Sequence, residues 1–218
     1  MNRAAAELLG TFCLVFAGTG AIVVDHVSGG QISHAGVALT FGLVVMAMNY
    51  ALGETSGAHL NPAVTIAFAI SGRLPGSAVP IYLAAQCAGA LVASMLIALL
   101  FGHTAGLGRT APAGSSHQAF VLEAVITFML MLVVLAVSTG PKERGIMAGI
   151  AVGGAVAVGA LFAGPITGAS MNPARSLGPA LVSGELDHLW IYLAAPVVGA
   201  AAAVPIAAFL IPPSKASA

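Results

Sequence analysis

The feature that most constrains this chain is a ten-residue stretch that occurs twice in otherwise apolar sequence. Residues 56–65 read SGAHLNPAVT, and residues 167–176 read TGASMNPARS. Asn followed by Pro is typical of a helix N-terminus. A helix that begins inside a membrane exposes unpaired N–H groups and the positive end of its dipole there. The two copies therefore favour a solute site at the membrane midplane. Their Asn-Pro-Ala motifs are Asn61, Pro62, Ala63 and Asn172, Pro173, Ala174.

The composition is that of a membrane protein. Of 218 residues, 59% are hydrophobic and only 6% are charged, whereas a soluble domain carries about 25% charged residues. The formal net charge is zero and no basic stripe is present, which argues against a nucleic-acid partner. Cys13 and Cys87 lie in apolar segments, and no metal-ligand spacing or nucleophile–base pattern occurs. We therefore predict no metal, no cofactor and no enzymatic activity.

The apolar segments define the predicted membrane spans. At roughly 20 residues per span, six can be placed, near 4–24, 35–53, 79–101, 118–139, 146–163 and 188–211. The two Asn-Pro-Ala segments lie between the second and third spans and between the fifth and sixth. Each continues for about ten residues before a Ser-Gly turn signal, a helical length of roughly 15 Å, or half a bilayer. We therefore predict two half-helices in addition to the six spans.

The chain also carries an internal duplication. Glu7, Thr11 and Phe12 have the same spacing as Glu123, Thr127 and Phe128, and the sequence YLAA occurs at 82–85 and at 192–195. Each copy contains three spans, which is an odd number, so the second copy must enter the membrane inverted. The predicted fold is thus an all-α membrane protein in which the half-helices point their N-termini at each other. It is a single channel domain, 1–218, made of two inverted repeats, about 1–108 and 109–218.

The distribution of basic residues predicts the orientation. Cytoplasmic loops of membrane proteins are enriched in Lys and Arg. If both termini are cytoplasmic, the outside receives only Arg109, and the inside receives Arg3, Arg73, Lys142, Arg144 and Lys215. We therefore expect a multi-pass protein with both termini in the cytoplasm.

Charged residues inside a bilayer are costly and need a reason. Glu7 and Glu123 occupy equivalent places in the repeat, where each carboxylate can accept N–H groups of the unwound backbone before a half-helix. The alternative is a proton relay, but a relay seldom needs two symmetry-related copies. Arg175 follows Asn172 by three positions and shares its helix face. There it can donate to oxygens of a neutral solute and repel cations; the alternative is an Arg that pairs with an acid.

The two Asn side chains are expected to have a double role. The side-chain oxygen of Asn61 or Asn172 can cap its own half-helix, which leaves the amide NH₂ free. Two such amides facing each other at the midplane would donate to a passing solute oxygen. The positive helix ends around them would oppose hydronium and other cations.

With the paired motifs, the two acids and Arg175 in place, the sequence resembles the aquaporin (major intrinsic protein) family along almost its whole length. The resemblance implies a six-span bundle with two half-helices, one pore per subunit, and a homotetramer in membrane lipid. It also implies passive transport of small neutral solutes, with protons and ions excluded. A four-residue selectivity filter is implied at the outer mouth, and motif alignment puts it at Phe41, Ala160, Ala169 and Arg175.

The filter residues match neither familiar subgroup of that family. Water-selective members have a His at the position of Ala160, and glycerol facilitators have a Trp at the position of Phe41 and an Asp at that of Ser176. Two alanines should widen the constriction and remove hydrogen-bonding partners from two of its walls.

The run 170–180 and the pair Tyr192-Leu193 are instead similar to the nodulin-like intrinsic proteins. That resemblance implies uncharged hydroxylated solutes such as glycerol, boric acid, silicic acid or arsenous acid (arsenite). The short chain is expected to be bacterial and to lie in the inner (plasma) membrane. We therefore predict a passive channel for water, glycerol and metalloid acids. The alternatives are a strictly water-selective aquaporin and a coupled secondary transporter, which would need intramembrane acids along its path.

Overall fold

The computed structural model describes residues 3–138 and 142–211, without the side chains of 142–146. Within these ranges every regular element is a helix or a short turn. The helices are α1 (Arg3–Val27), α2 (Ser33–Ser56), α3 (Pro62–Ile70), α4 (Val79–Phe101), α5 (Ser116–Val137), α6 (Lys142–Thr167), α7 (Pro173–Ser183) and α8 (Leu189–Leu210). A short 3₁₀ turn occupies Gly76–Ala78. The segment Thr104–Gly108 is a turn with left-handed backbone angles at Ala105, Gly106 and Leu107.

Among the described residues, six helices are long and apolar enough to cross a membrane. Their edges differ from the predicted spans by at most four residues, which confirms the all-α membrane fold. The largest difference concerns the fifth span, which was predicted to end at 163. Helix α6 instead continues past Pro165 to Thr167. We call the side of the bundle on which α1 begins the terminal face, and the opposite side the far face.

Helices α3 and α7 are the two half-helices, with 9 and 11 residues. Each begins at the Pro that follows an Asn N-cap. The side-chain oxygen of Asn61 accepts the N–H of Ala63, and that of Asn172 accepts the N–H groups of Ala174 and Arg175. Because of the order in which the helices cross the bundle, α3 runs from the interior toward the terminal face and α7 runs toward the far face. The N-termini of the half-helices therefore meet inside the bundle.

The backbone before each half-helix adopts an unusual conformation that occurs in both repeats. Positive φ angles are found at Gly57, Ala58 and Leu60 and again at Gly168, Ala169 and Met171. Left-handed conformations cost a non-glycine residue about 1–2 kcal/mol. These segments are therefore not stable by themselves and depend on the contacts described below.

The long helices pack in pairs that follow the repeat. Helix α1 packs on α4, and α5 packs on α8 in the same manner, while α2 packs on α6 across the two repeats. Gly89 and Gly199 permit the first two contacts, because a Cβ at either position would collide with a backbone carbonyl, that of Leu8 or that of Ala124. Small residues of this kind allow transmembrane helices to approach closely.

The residues that carry the predicted orientation are only partly described. Arg73 follows α3 on the terminal face, where its Nη1 donates to the carbonyl of Leu135 and to the hydroxyl of Ser138. Lys215 and the side chains of Lys142 and Arg144 lie outside the described residues. Arg109 lies on the far face and forms an ion pair with Glu185.

Candidate functional site: a midplane pore

The two N-cap asparagines are joined across the repeats. Asn61 Nδ2 donates to the carbonyl of Met171 at 2.7 Å, and Asn172 Nδ2 donates to the carbonyl of Leu60 at 2.8 Å. The expectation that both amide groups are wholly free is therefore wrong. Because an amide nitrogen carries two hydrogens, one N–H of each Asn holds the opposite loop and one is left for another acceptor.

Glu7 holds the strained backbone of the first repeat. Its Oε1 accepts the N–H of His59 at 2.9 Å and the hydroxyl of Ser56 at 2.6 Å, and its Oε2 accepts the N–H of Leu60 at 2.8 Å. A carboxylate that accepts several N–H groups is a strong acceptor. Tyr82 holds the same backbone segment by donating to the carbonyl of Ser56.

Glu123 makes the equivalent contacts in the second repeat. Its Oε1 accepts the hydroxyl of Thr167 at 2.7 Å and the N–H of Ser170 at 2.8 Å, and its Oε2 accepts the N–H of Met171 at 2.9 Å. Tyr192 donates to the carbonyl of Thr167, as Tyr82 does to Ser56. The two acids are thus placed at the same point of two similar hydrogen-bond networks.

In the first repeat Gln86 adds polar contacts, whereas the second repeat has Pro196 at the matching position. Gln86 Nε2 donates to Glu7 at 2.8 Å and to the hydroxyl of Thr65 at 2.9 Å. The Thr65 hydroxyl lies 3.1 Å from Nδ1 of His59, whose ring stacks on Phe68. The contact between His59 and Thr65 does have a counterpart, since the hydroxyls of Ser170 and Ser176 lie 2.6 Å apart. Tyr82 and Gln86 were not predicted as site residues, although the YLAA repeat places Tyr82 and Tyr192 at matching positions.

A cavity of about 770 Å³ runs through the bundle past the half-helix N-termini. It begins on the terminal-face side near Asn49 and Glu54, passes Asn61 and Asn172, and reaches Arg175. A second cavity of about 300 Å³ lies beyond it, toward the far face, and Asp25, His34 and Arg109 are among its lining residues.

The predicted filter positions lie where these two cavities meet. Phe41, Ala160 and Ala169 line both cavities, and Arg175 lines the larger one. The structure therefore brings together four residues from α2, α6, the second motif loop and α7. The two motif loops also line the larger cavity, from Gly57 to Asn61 and from Ala169 to Asn172.

Arg175 is held in place by one hydrogen bond and one ring contact. Its Nη1 donates to the carbonyl of Gly108 at 2.8 Å, and its guanidinium carbon lies 5.0 Å from the centre of the Phe41 ring. Its Nε and Nη2 are buried and have no hydrogen-bond partner among the described residues. No carboxylate forms an ion pair with Arg175 among the described residues, and the side chain lines the larger cavity as an unpaired cation.

Two supports of the predicted filter residues were missed in the sequence. Gly108 follows a left-handed turn, and the loop after it is tied down because the Thr110 hydroxyl lies 2.8 Å from that of Ser176. Gly18 on α1 leaves room for the ring of Phe41, since a Cβ at this position would overlap the ring. The glycine-rich spacing of α1 is the only sequence signal for the second support; the first has none.

No group of three or more His, Cys, Asp or Glu side chains suited to a metal ion occurs within the described residues. Cys13 and Cys87 are free thiols.

Comparison with known proteins identifies the family. The family model described as Major intrinsic protein matches residues 1–206. Aquaporin NIP1-3 of Oryza sativa subsp. japonica is 52% identical over 205 residues, which cover 92% of this chain and 71% of the rice protein. Nodulin-26 of Glycine max is 47% identical over 203 residues, covering 93% of this chain and 75% of that protein. These matches confirm the resemblance to nodulin-like intrinsic proteins.

A solved structure gives the same result for the fold. The X-ray structure of the aquaglyceroporin from Plasmodium falciparum matches with a TM-score of 0.85 and 28% sequence identity, covering 94% of each chain. The sequence relatives named above are plant proteins, so they lend no support to the expected bacterial origin. Members of this family are channels and not enzymes. From the paired Asn-Pro-Ala loops, the two buried acids and these matches, we conclude that the chain belongs to the major intrinsic protein family, as a multi-pass membrane protein.

Proposed function

We propose that the protein is a passive channel for small uncharged solutes. The observation that carries this proposal is the cavity that passes both Asn N-caps and reaches Arg175, whose Nε and Nη2 have no hydrogen-bond partner among the described residues. The free N–H of each Asn and the Nε and Nη2 of Arg175 offer donors to a solute that carries oxygen acceptors. A solute without charge can accept these hydrogen bonds in turn and leave again, since no single site binds it with full complementarity.

The same arrangement opposes cations and protons. Two half-helix N-termini meet at the midplane, and each contributes a positive dipole end of roughly half an elementary charge. Arg175 adds a full positive charge at the filter. The electrostatic barrier therefore acts at two successive positions along the path, whereas neutral solutes pass both.

The small side chains at the filter favour a pore that admits solutes larger than water. Phe41 supplies one aromatic wall, while Ala160 and Ala169 supply two walls with a single methyl group each. We infer that glycerol and uncharged metalloid acids, such as boric acid and arsenous acid, pass together with water. The aquaglyceroporin that shares the fold supports the same solute class. The alternative is a strictly water-selective pore, which the small side chains at the filter do not favour.

A coupled secondary transporter is the second alternative, and the buried acids argue against it. Glu7 and Glu123 are 0% exposed, and neither lines either cavity. Their carboxylates are occupied by backbone N–H groups and hydroxyls. We infer that both acids support the motif loops and take no part in proton coupling.

The proposal extends to assembly and location. Large apolar side chains such as Leu99 and Phe209 are exposed on the outside of the bundle, where they fit lipid or neighbouring subunits. We propose a homotetramer with one pore per subunit and a location in the plasma membrane with both termini cytoplasmic. The position of Arg73 on the terminal face agrees with this orientation.

Stopped-flow light scattering on proteoliposomes tests the proposal. Vesicles are exposed to inward gradients of glycerol or boric acid and, separately, to an impermeant osmolyte for water. We expect flux that rises linearly with the gradient, does not saturate, and is unchanged when a pH gradient is imposed. Saturation at low solute, or dependence on the proton gradient, would refute a passive pore.

A matched pair of variants separates the pore from leakage through the bilayer. Ala160→Trp puts a bulky ring where the two cavities meet and should abolish flux of every solute. Val158→Trp is the control, because Val158 lies on the same helix, is 54% exposed and lines neither cavity. Equal flux in both variants would show that solutes do not take the proposed path.

A further inference from the structure

Helix α6 contains a proline near its far-face end. Pro165 has no N–H, so it cannot donate to the carbonyl four residues earlier, that of Leu161. A helix usually bends or ends at such a point, yet α6 continues to Thr167. The Leu161 carbonyl needs a donor from elsewhere, because an unpaired carbonyl inside a transmembrane helix is unfavourable.

His34 supplies that donor from the beginning of α2. Its Nε2 lies 2.7 Å from the Leu161 carbonyl oxygen. A carbonyl only accepts, so Nε2 carries a hydrogen whatever the state of Nδ1. The ring lies directly over Gly164, where a Cβ would come within 2.6 Å of the ring carbon Cε1. His34 thus occupies the place left open by Gly164 and Pro165 together.

This bond joins α2 and α6, the helices that carry Phe41 and Ala160 of the filter. His34 precedes Phe41 by two helical turns on α2, and Leu161 directly follows Ala160 on α6. His34 and Gly164 line the smaller cavity, which also touches Phe41 and Ala160. A change in the distance between His34 and Leu161 is therefore passed along two short helical segments to the filter.

We propose that His34 is a positioning residue for solute selection: it fixes the distance between the Phe41 and Ala160 walls by replacing the hydrogen bond that Pro165 removes from α6. This proposal rests on the function proposed above, since it assigns a determinant of selectivity to the same pore. Water in the smaller cavity can also donate a hydrogen bond to the Leu161 carbonyl. What His34 adds is a fixed link between α2 and α6, which a mobile water does not provide.

The test is the ratio of glycerol to water permeability in proteoliposomes of His34→Phe, which keeps a ring but has no donor. We expect the ratio to rise by a factor between about two and ten, the range that one net hydrogen bond gives to an equilibrium. His34→Gln retains an N–H donor and should restore most of the wild-type ratio. His117→Phe is the control, because His117 is exposed at the start of α5 and lines neither cavity.

A second substitution makes the test specific for the bond. Pro165→Ala restores the N–H that can donate to Leu161, so His34 becomes dispensable. We expect His34→Phe to leave the permeability ratio unchanged in the Pro165→Ala background. An equal change in both backgrounds, or no change in either, would overturn the proposal.

The wild type, His34→Phe, Pro165→Ala and the double variant together distinguish this proposal from the proposed function. Their thermal unfolding in detergent is measured without any transport. His34→Phe should lower the melting temperature in the wild-type background and have little effect beside Pro165→Ala. If wild-type vesicles pass no neutral solute, the proposed function fails, while this coupling still reports on the bond. Coupling in stability without a change in permeability ratio would refute a role in selection.

Discussion

Replacing Glu123 by Gln tests whether the buried acids hold the motif loops. The carboxylate accepts two donors at Oε1, from Thr167 and Ser170, and one at Oε2, from Met171. Glutamine has one acceptor oxygen and an NH₂ group of the same size. If the oxygen takes the position of Oε1, the new NH₂ faces the N–H of Met171, and two donors oppose each other.

The magnitude follows from these contacts. The substitution leaves one buried N–H unpaired, which costs about 1–3 kcal/mol, and converts charge-assisted bonds, worth about 1.5–3 kcal/mol, to neutral ones of about 1 kcal/mol. We expect a loss of about 3 kcal/mol in the free energy of unfolding. The lost contacts join Glu123 to the second motif loop, so the same free energy also favours local displacement of that loop. Since 1.4 kcal/mol is a factor of ten, the population of displaced loops rises roughly a hundredfold. The pore loses its aligned Asn172 and should conduct poorly.

Thermal unfolding in detergent and solute flux in proteoliposomes are measured together on the purified variant. Glu185→Gln is the control, because it makes the same chemical change in an exposed ion pair with Arg109, where such pairs contribute about 0–1 kcal/mol. Glu7→Gln should resemble Glu123→Gln, since its carboxylate has the equivalent contacts.

Two results would refute this reasoning. If Glu123→Gln is as stable as Glu185→Gln, the carboxylate does not hold the loop. If it folds normally and loses only a proton-driven component of uptake, the acid is a coupling group and the transporter alternative gains.

Two further predictions concern the filter and the helix packing. Ala160→His should reduce glycerol permeability more than water permeability, because the ring narrows the junction of the cavities; Val158→His is its control, and equal reduction of both solutes would contradict the place of Ala160 in the filter. Gly199→Ala should lower stability by about 1–3 kcal/mol or prevent folding, because its Cβ meets the Ala124 backbone. Gly154→Ala, where a Cβ has open space, should be neutral or stabilising in the same unfolding measurement.

Much of the architecture could be predicted from local sequence. Spans are set by the length of apolar segments, and half-helix starts by Asn-Pro, so α3 and α7 begin where expected. The inverted arrangement follows from counting three spans per repeat. The end of α6 was predicted too early, since the sequence shows Pro165 but not the distant donor that satisfies Leu161.

The site, too, was predictable only in part. Motif alignment brings Phe41, Ala160, Ala169 and Arg175 to one region, and the structure places them at the junction of two cavities. The acceptor for Arg175 was not predictable, because Gly108 belongs to a connecting loop with no pattern of its own. The two Asn amides were expected to be free, whereas each uses one N–H on the opposite repeat.

Sequence alone therefore determined the membrane class, the six spans, the two half-helices and the family, because each depends on composition or on residues close together in the chain. The tertiary structure decided which donors meet which acceptors. Asn61 reaches Met171 across 110 positions, and His34 reaches Leu161 across 127. Such contacts depend on how helices from two repeats pack, and a hydrogen bond tolerates errors of only a few tenths of an ångström. No local pattern in the chain encodes distances of that kind.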